Sequence, residues 1–375
     1  MKIFIGKDNS CYLNYQKKLL YSSLYFNNFN IVGNPEEADI IIFSDTCCCT
    51  AFNMNVTLAY INEILKRKKK DAKTFLTGCM TRTFKKNIDN FDLNGWLEEH
   101  IDYIIPQNNV NEILKMISEE IFKDVPNDDF GFFCPASNEV ADLYISNGCM
   151  NNCSFCKLSF QEYPLKSVDI EQIKKIIDQV DEYGMKEIRI KGTNVSQYGY
   201  DLYHEFRLPE IIEYAEKKEN IERIKFVGFS FKDAIENGFA EVIRDSKKAC
   251  RFCGSLESGS NRLLELIRKG FTREEFIEFT EQIRKKYPKE LHLNVISGFP
   301  TETKTDILET LEVLERIDPI EVVLCRYTNS SFVDSNNYPQ LTPKQIEEHT
   351  RIYQKVLKRR NINTQVMGNG YIYNK

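Results

Sequence analysis

The chain has 375 residues, of which 42% are hydrophobic, enough to bury a sizeable core and to divide into about two or three domains. Its 50 Lys and Arg against 55 Asp and Glu give a net charge of -5, without the basic excess of a dedicated nucleic-acid binder. No run approaches the roughly 18 apolar residues of a membrane span, and Met1-Lys2 leads straight into the strand-like Ile3 to Ile5 with no signal-peptide layout, so a cytoplasmic protein with no membrane partner is expected.

Residues 1 to 125 alternate short apolar runs with amphipathic stretches. Strands are expected over Lys2–Gly6, Asp39–Phe43 and Thr74–Thr77, and helices near Tyr15–Tyr25, Asn53–Lys68 and Asn111–Ile121. That order predicts a small parallel α/β domain. The polar, turn-prone Val125-Pro126-Asn127-Asp128-Asp129 opens a linker over 126–137. From 138 to 340 the alternation repeats on a larger scale. Ile170, Ile173, Ile176, Ile177 and Val180 mark a helix, and Glu187–Lys191 alternates as a strand. Further strands are expected near Ile224–Phe229, Arg251–Leu256, Leu291–Ser297 and Glu321–Arg326, with helices near Leu208–Lys217, Ser260–Lys269, Arg273–Tyr287 and Thr303–Ile317. Six such units fit a partial (β/α)6 barrel of the TIM type. Residues 341–375 then give one helix, Pro343–Arg359, and a tail.

Twelve cysteines in a chain of this size with no export signal read as metal or redox ligands rather than disulfides. The tightest constellation is Gly148-Cys149-Met150-Asn151-Asn152-Cys153-Ser154-Phe155-Cys156, with C-x3-C-x2-C spacing directly after the first strand of the larger domain. Three thiolates can ligate three irons of a [4Fe-4S] cubane and leave the fourth iron open. A structural zinc is the plain alternative, but it wants a fourth Cys or His close by, and none occurs between Cys156 and His204. Cys250 and Cys253 sit in one expected strand and read as barrel-core residues, as do the isolated Cys134 and Cys325.

The triad, with its aromatic before the last cysteine and the β/α series behind it, resembles the radical S-adenosylmethionine (SAM) enzymes. There SAM occupies the open iron, and one electron from the cluster breaks its sulfonium bond to give a 5'-deoxyadenosyl radical.

Surrounding segments narrow the likeness. Ser10-Cys11-Tyr12-Leu13-Asn14 resembles the Gly-Cys-x-x-Asn of the radical SAM methylthiotransferases of the MiaB/RimO type, Asp45-Thr46-Cys47 their Asn-Thr-Cys, and Thr77-Gly78-Cys79-Met80 their Gly-Cys element. The stretch Gly192-Thr193-Asn194-Val195-Ser196-Gln197-Tyr198-Gly199 is similar to their Gly-Gln-Asn-Val and Tyr-Gly. Glu257-Ser258-Gly259-Ser260 resembles their Gln-Ser-Gly-Ser, and Ile296-Ser297-Gly298-Phe299-Pro300-Thr301-Glu302 their Ile-x-Gly-Phe-Pro-x-Glu.

The resemblance implies a Rossmann/flavodoxin-like methylthiotransferase domain over 1–125, followed by a radical SAM barrel. It implies that Cys11, Cys47 and Cys79 hold a second [4Fe-4S] cluster carrying sulfur, with Cys48 or Cys49 open as substitutes for Cys47. It places Phe155, Gly192, Thr193, Asn194, Glu257, Ser258, Ile296 and Gly298 around SAM, and it calls for an electron donor such as flavodoxin or ferredoxin. No acid or base is assigned beyond the cluster ligands.

The chain also departs from that pattern. The 16 residues from 360 to 375 are too few for the C-terminal TRAM barrel of relatives, and Gln161-Glu162-Tyr163 stands where they carry Arg-Gly-Arg. Both changes weaken attraction to a phosphate backbone. The expected reaction is therefore conversion of C–H to C–SCH3 on a peptide or protein, such as a ribosomally made precursor, with methylthiolation of a tRNA adenosine as the alternative. From other classes, peptide crosslinking and a non-catalytic iron-sulfur scaffold remain open.

Overall fold

The structure, a computed structural model, describes residues 1–6, 20, 24, 29–46, 51–78, 80–81, 93–105, 116, 133–137, 139–156, 164–329 and 333–367. The chain divides into two compact units, within Met1–Asp129 and within Phe130–Gly368.

In the first unit, β1 (Lys2–Ile5), β2 (Asn30–Ile31), β3 (Ile40–Thr46), β4 (Lys73–Gly78) and β5 (Tyr103–Ile104) form one sheet in the order β2-β1-β3-β4-β5, parallel at every pair. This is the order of flavodoxin-type doubly wound sheets, whose ligands sit beyond the strand carboxyl ends where the order reverses. Near-continuous apolar runs make the strands, because such a sheet is covered on both faces: Ile3, Ile41, Ile42 and Leu76 are fully buried. Helices α1 (Ala51–Arg67) and α2 (Leu93–His100) contribute the buried Ile61 and Leu97. The helices expected near 15–25 and 111–121 lie almost wholly outside the described residues.

The second unit carries a sheet in the order β14-β13-β12-β11-β10-β9-β7-β6. Its strands are β6 (Phe133–Ser137), β7 (Val140–Asn147), β8 (Lys166–Ser167), β9 (Glu187–Gly192), β10 (Arg223–Phe229), β11 (Ala249–Glu257), β12 (Glu290–Ser297), β13 (Glu321–Arg326) and β14 (Asn363–Met367). From β7 to β14 along that path every pair is parallel, whereas β6 and β8 lie antiparallel to β7. The described strands make an open sheet, a partial barrel. The helices are α3 (Ile170–Glu182), α4 (Tyr200–Tyr203), α5 (Leu208–Glu216), α6 (Phe231–Glu236), α7 (Ala240–Asp245), α8 (Asn261–Ile267), α9 (Arg273–Ile283), α10 (Lys304–Ile317) and α11 (Pro343–Arg359). Capping boxes at Thr272, Thr303 and Thr342 start α9, α10 and α11, where each threonine satisfies an orphan N–H of the first turn. Among the described residues no helix is long and apolar enough to cross a membrane.

The sequence reading ends the barrel at 340 with a helix and tail to follow. The structure instead adds β14, paired with β13 from Glu321↔Asn363 to Cys325↔Met367. This edge strand carries no clear apolar alternation, and every residue of it keeps some exposure, so periodicity could not flag it.

Phe226 and Phe252 stack at 4.9 Å, Phe229 meets Phe252 edge-on at 5.0 Å, and Phe231 meets Phe276 at 4.8 Å, carrying the packing from β10 and β11 out to α6 and α9. All five rings are buried, so Phe252→Ala is expected to cost about 3–5 kcal/mol of unfolding free energy, read as a lowered urea midpoint at constant m.

Candidate functional site

The C-x3-C-x2-C segment forms the loop that leaves β7 at the carboxyl end of the parallel strands. The turn into it rests on Gly148, whose φ of 86° lies in the left-handed region and whose missing Cβ would stand 2.0 Å from the Pro164 carbonyl oxygen. Beyond it the loop is tied down at both ends. The Met150 N–H donates to Gln197 Oε1 at 2.8 Å, and Asn151 Nδ2 donates to Asp233 Oδ2 at 3.0 Å. Farther on, Ser154 N donates to the Ile267 carbonyl at 3.0 Å and Ser154 Oγ to the Leu266 carbonyl at 2.8 Å, which docks the loop on α8. Phe155 packs against Leu263, Ile267, Ile296, Phe299 and Tyr327, so two residues expected at the SAM site, Phe155 and Ile296, share one apolar wall.

The three thiols are half-buried. Cys149 Sγ receives the Asn151 N–H at 3.4 Å and Asn194 Nδ2 at 3.5 Å, yet burial outweighs both and pushes this thiol up. Burial also raises Cys153, against Lys269, with Glu257 adding to the rise. Thiols in such surroundings become thiolates when a metal supplies positive charge, and a coordinating thiol is deprotonated outright. Among the described residues no three His, Cys, Asp or Glu side chains converge on a single ion.

Three buried polar atoms without hydrogen-bond partners sit at strand ends nearby: Ser146 Oγ on β7, Asn194 Oδ1 after β9 and Glu257 Oε2 at the end of β11. Unsatisfied buried groups of this kind cost free energy unless a ligand completes them, and SAM, with an ammonium, a carboxylate and ribose hydroxyls, offers the missing partners. The residues present therefore fit a three-cysteine cubane with SAM beside it.

The other expected SAM-site residues are placed as follows. Gly192 ends β9, where a Cβ would meet the Ser146 carbonyl at 2.8 Å. Thr193 Oγ1 donates to Asn147 Oδ1 at 2.8 Å and accepts the Gly148 N–H at 3.2 Å, which makes it a support of the loop. Glu257 is buried with φ 68°, its carboxyl pushed up by burial and held 3.6 Å from Lys269 Nζ. Ser258 Oγ is engaged with Thr310 Oγ1 at 3.2 Å and accepts the Ser260 N–H at 3.1 Å, so it fixes the turn onto α10. The Gly298 N–H donates to Glu302 Oε2 at 2.7 Å, and Glu302 is gripped in turn by His349 at 2.8 Å and Tyr353 at 3.2 Å from α11.

Asp233 and Gln197, which hold the loop, were not singled out from the sequence. The available signal was Ser230 three residues before Asp233, a helix-start pattern that reads as a cap alone.

Cys11, Cys47, Cys48, Cys49 and Cys79 lie outside the described residues, as does the side chain of Cys134. What is described are the strand ends before two of them: Thr46 and Gly78 are register partners, and Thr46 Oγ1 donates to the Thr77 carbonyl at 2.6 Å. Cys250 and Cys253 both lie on β11, and burial pushes Cys250 up and Cys253 up to about 11, the behaviour of inert packed thiols. Burial raises Cys325 as well.

The model of the radical SAM superfamily matches residues 143–314, and that of the uncharacterized protein family UPF0004 matches residues 9–95. The chain is 28% identical over 322 residues to a tRNA-2-methylthio-N(6)-dimethylallyladenosine synthase of Natranaerobius thermophilus, covering 82% of this chain and 70% of that one. It is 27% identical to the threonylcarbamoyladenosine tRNA methylthiotransferase MtaB of Aquifex aeolicus, over 91% and 84% of the two chains. It is 26% identical to the ribosomal protein uS12 methylthiotransferase RimO of Clostridioides difficile, over 80% and 69%. In fold it resembles the radical SAM methyltransferase TsrM of Kitasatospora setae, with a TM-score of 0.60 at 12% identity over 89% of this chain and 76% of that one. With both matched regions in one chain, in this order and on this geometry, the protein belongs to the radical SAM methylthiotransferase family, whose enzymes use SAM and two [4Fe-4S] clusters.

Proposed function

We propose that this chain converts a C–H bond to C–SCH3 on a peptide or protein, with residues 1–125 as the sulfur-carrying domain and 138–340 as the radical SAM barrel. The observation that carries the thiolation reading is the match of residues 9–95 to the N-terminal family model, a span that includes Cys11, Cys47 and Cys79. In this reading those three cysteines hold the second cluster, and Cys149, Cys153 and Cys156 hold the first and leave its fourth iron to SAM. When bound, the clusters and SAM supply one-electron and carbon-radical chemistry. The chain's own part is to hold and shield them. Asn194 Oδ1, Ser146 Oγ and Glu257 Oε2 would meet polar groups of bound SAM, Phe155 and Ile296 would wall off water, and Glu302 fixes the backbone at Gly298.

A peptide or protein substrate is supported by charge. The net charge is -5. A chain with that balance attracts a phosphate backbone less than a basic one does. The tRNA reading keeps one specific support, the names of most of the similar relatives, which act on tRNA. A cytoplasmic site of action and a flavodoxin or ferredoxin as reductant belong to the same proposal.

Replacing Cys11, Cys47 and Cys79 together by Ala should lower iron from about eight to about four atoms per anaerobically reconstituted chain. Reductive formation of 5'-deoxyadenosine should persist while methylthiolated product disappears. A triple variant that keeps about eight irons sinks the thiolation reading. For the substrate, expression beside peptides encoded next to its gene, and separately incubation with bulk tRNA, should yield a mass gain of one SCH2 unit on the peptide alone. A gain confined to tRNA transfers the assignment, and loss of two hydrogens from a peptide indicates crosslinking.

A further inference from the structure

Around the cysteine loop lies a knot of three amide side chains on one carboxylate. Asp233, in the first turn of α6, is 4% exposed. Its Oδ1 accepts from Gln197 Nε2 at 2.9 Å, and its Oδ2 accepts from Asn194 Nδ2 at 2.9 Å and from Asn151 Nδ2 at 3.0 Å. Among the described residues no Lys or Arg forms an ion pair with it. A buried carboxylate solvated by amides alone is costly to desolvate, and three neutral donors return less than a cation would.

What such a carboxylate does uniquely is set direction. An ionised carboxylate only accepts hydrogen bonds, so each amide must turn its NH2 toward it; the two ends of an amide are otherwise nearly the same size and either could face inward. With Nδ2 on Asp233, the second hydrogen of Asn194 reaches Cys149 Sγ at 3.5 Å, and Asn194 Oδ1 is left buried with no partner. With Nε2 on Asp233, Gln197 offers Oε1 to the Met150 N–H at 2.8 Å. One carboxylate therefore fixes a donor to the first cluster cysteine, an acceptor for the loop backbone and an open acceptor at the site.

We propose that Asp233 is a positioning residue that locks the Asn194 amide, so that its N–H faces the Cys149 sulfur and its oxygen faces the amino N–H of SAM. The inference rests on the reading of Cys149, Cys153 and Cys156 as cluster ligands.

The test uses the full chain with its iron reconstituted, the EPR spectrum of the reduced cluster being followed as SAM is added. In Asp233→Asn the new amide can give its NH2 to Asn194 Oδ1 and let that side chain turn over. Iron content should hold, while the SAM concentration needed for half of the spectral change rises about tenfold, the scale of one net hydrogen bond. The double variant Asp233→Asn with Asn194→Asp restores a donor facing an acceptor and keeps an oxygen toward the amino group of SAM. It should recover most of the SAM affinity, although the reduced cluster, now without the N–H at Cys149, should show a shifted spectrum. Wild-type SAM affinity in Asp233→Asn overturns the proposal, as does a double variant no better than the single one, or loss of iron from both. Failure of the cluster reading itself is seen separately, in a wild-type chain whose reduced spectrum does not respond to SAM.

Discussion

Placing three thiols at the end of a buried strand and leaving room beside them is the constraint on which the rest of the second unit depends. Burial alone pushes Cys149 and Cys153 toward the protonated form, the wrong form for a metal ligand. The fold offsets part of this with local polarity: two N–H donors at Cys149, and Lys269 acting on Cys153. The loop can reach those donors only because Gly148 turns in the left-handed region past Pro164. The docking of Ser154 on α8 then sets where Phe155 lands, and with it the apolar wall.

The two faces of the barrel sheet divide the work of stability and function. On β9, Ile188 and Ile190 are fully buried while the alternating Glu187, Arg189 and Lys191 line the other face. There Glu187 accepts from Arg189 at 3.0 Å, from Arg223 at 3.0 Å and from Lys225 at 2.6 Å, and Lys191 pairs with Asp142 at 2.8 Å. The pull of three cations lowers the Glu187 carboxyl despite its burial. Buried pairs of this kind are weak contributors to net stability, because desolvation offsets most of the Coulombic gain. The apolar packing of Phe226, Phe252 and Phe276 on the helix side must therefore hold the sheet, which frees the inner face to stay polar.

Much of this was legible in the sequence wherever a periodic signal and a chemical signal coincided. The strands from β9 to β13 alternate or run apolar, Ser or Thr stands at the cap of α8, α9, α10 and α11, and the expected spans agree with the observed ones to within a few residues. The cysteine triad was legible because spacing alone encodes it. Short elements such as β2, β5, α6 and α7 were not, since two to six residues carry too little periodicity to register. Asp233 was illegible for another reason: its role arises from three amides on two other segments, and nothing adjacent to it in the chain announces them. Ser258 shows the reverse case, a motif residue whose hydroxyl proves to be occupied in holding its own turn.

Glu257 is where the chain's departure from the family motif it resembles meets the site. A glutamine there would be neutral, whereas this carboxylate is buried beside Cys153 with Lys269 3.6 Å away and one oxygen unsatisfied. Burial favours its protonated form and Lys269 favours its ionised one, and burial is the larger effect. A protonated carboxyl is a neutral donor and acceptor much like the amide it replaces, so the exchange is nearly conservative in shape and polarity. Ionised, it would add a second buried carboxylate to Asp233 around a loop of thiolates, raising the demand on Lys269, the nearest cation. The substitution thus preserves the polar lining of the site while tying its charge to a single lysine on the turn after α8.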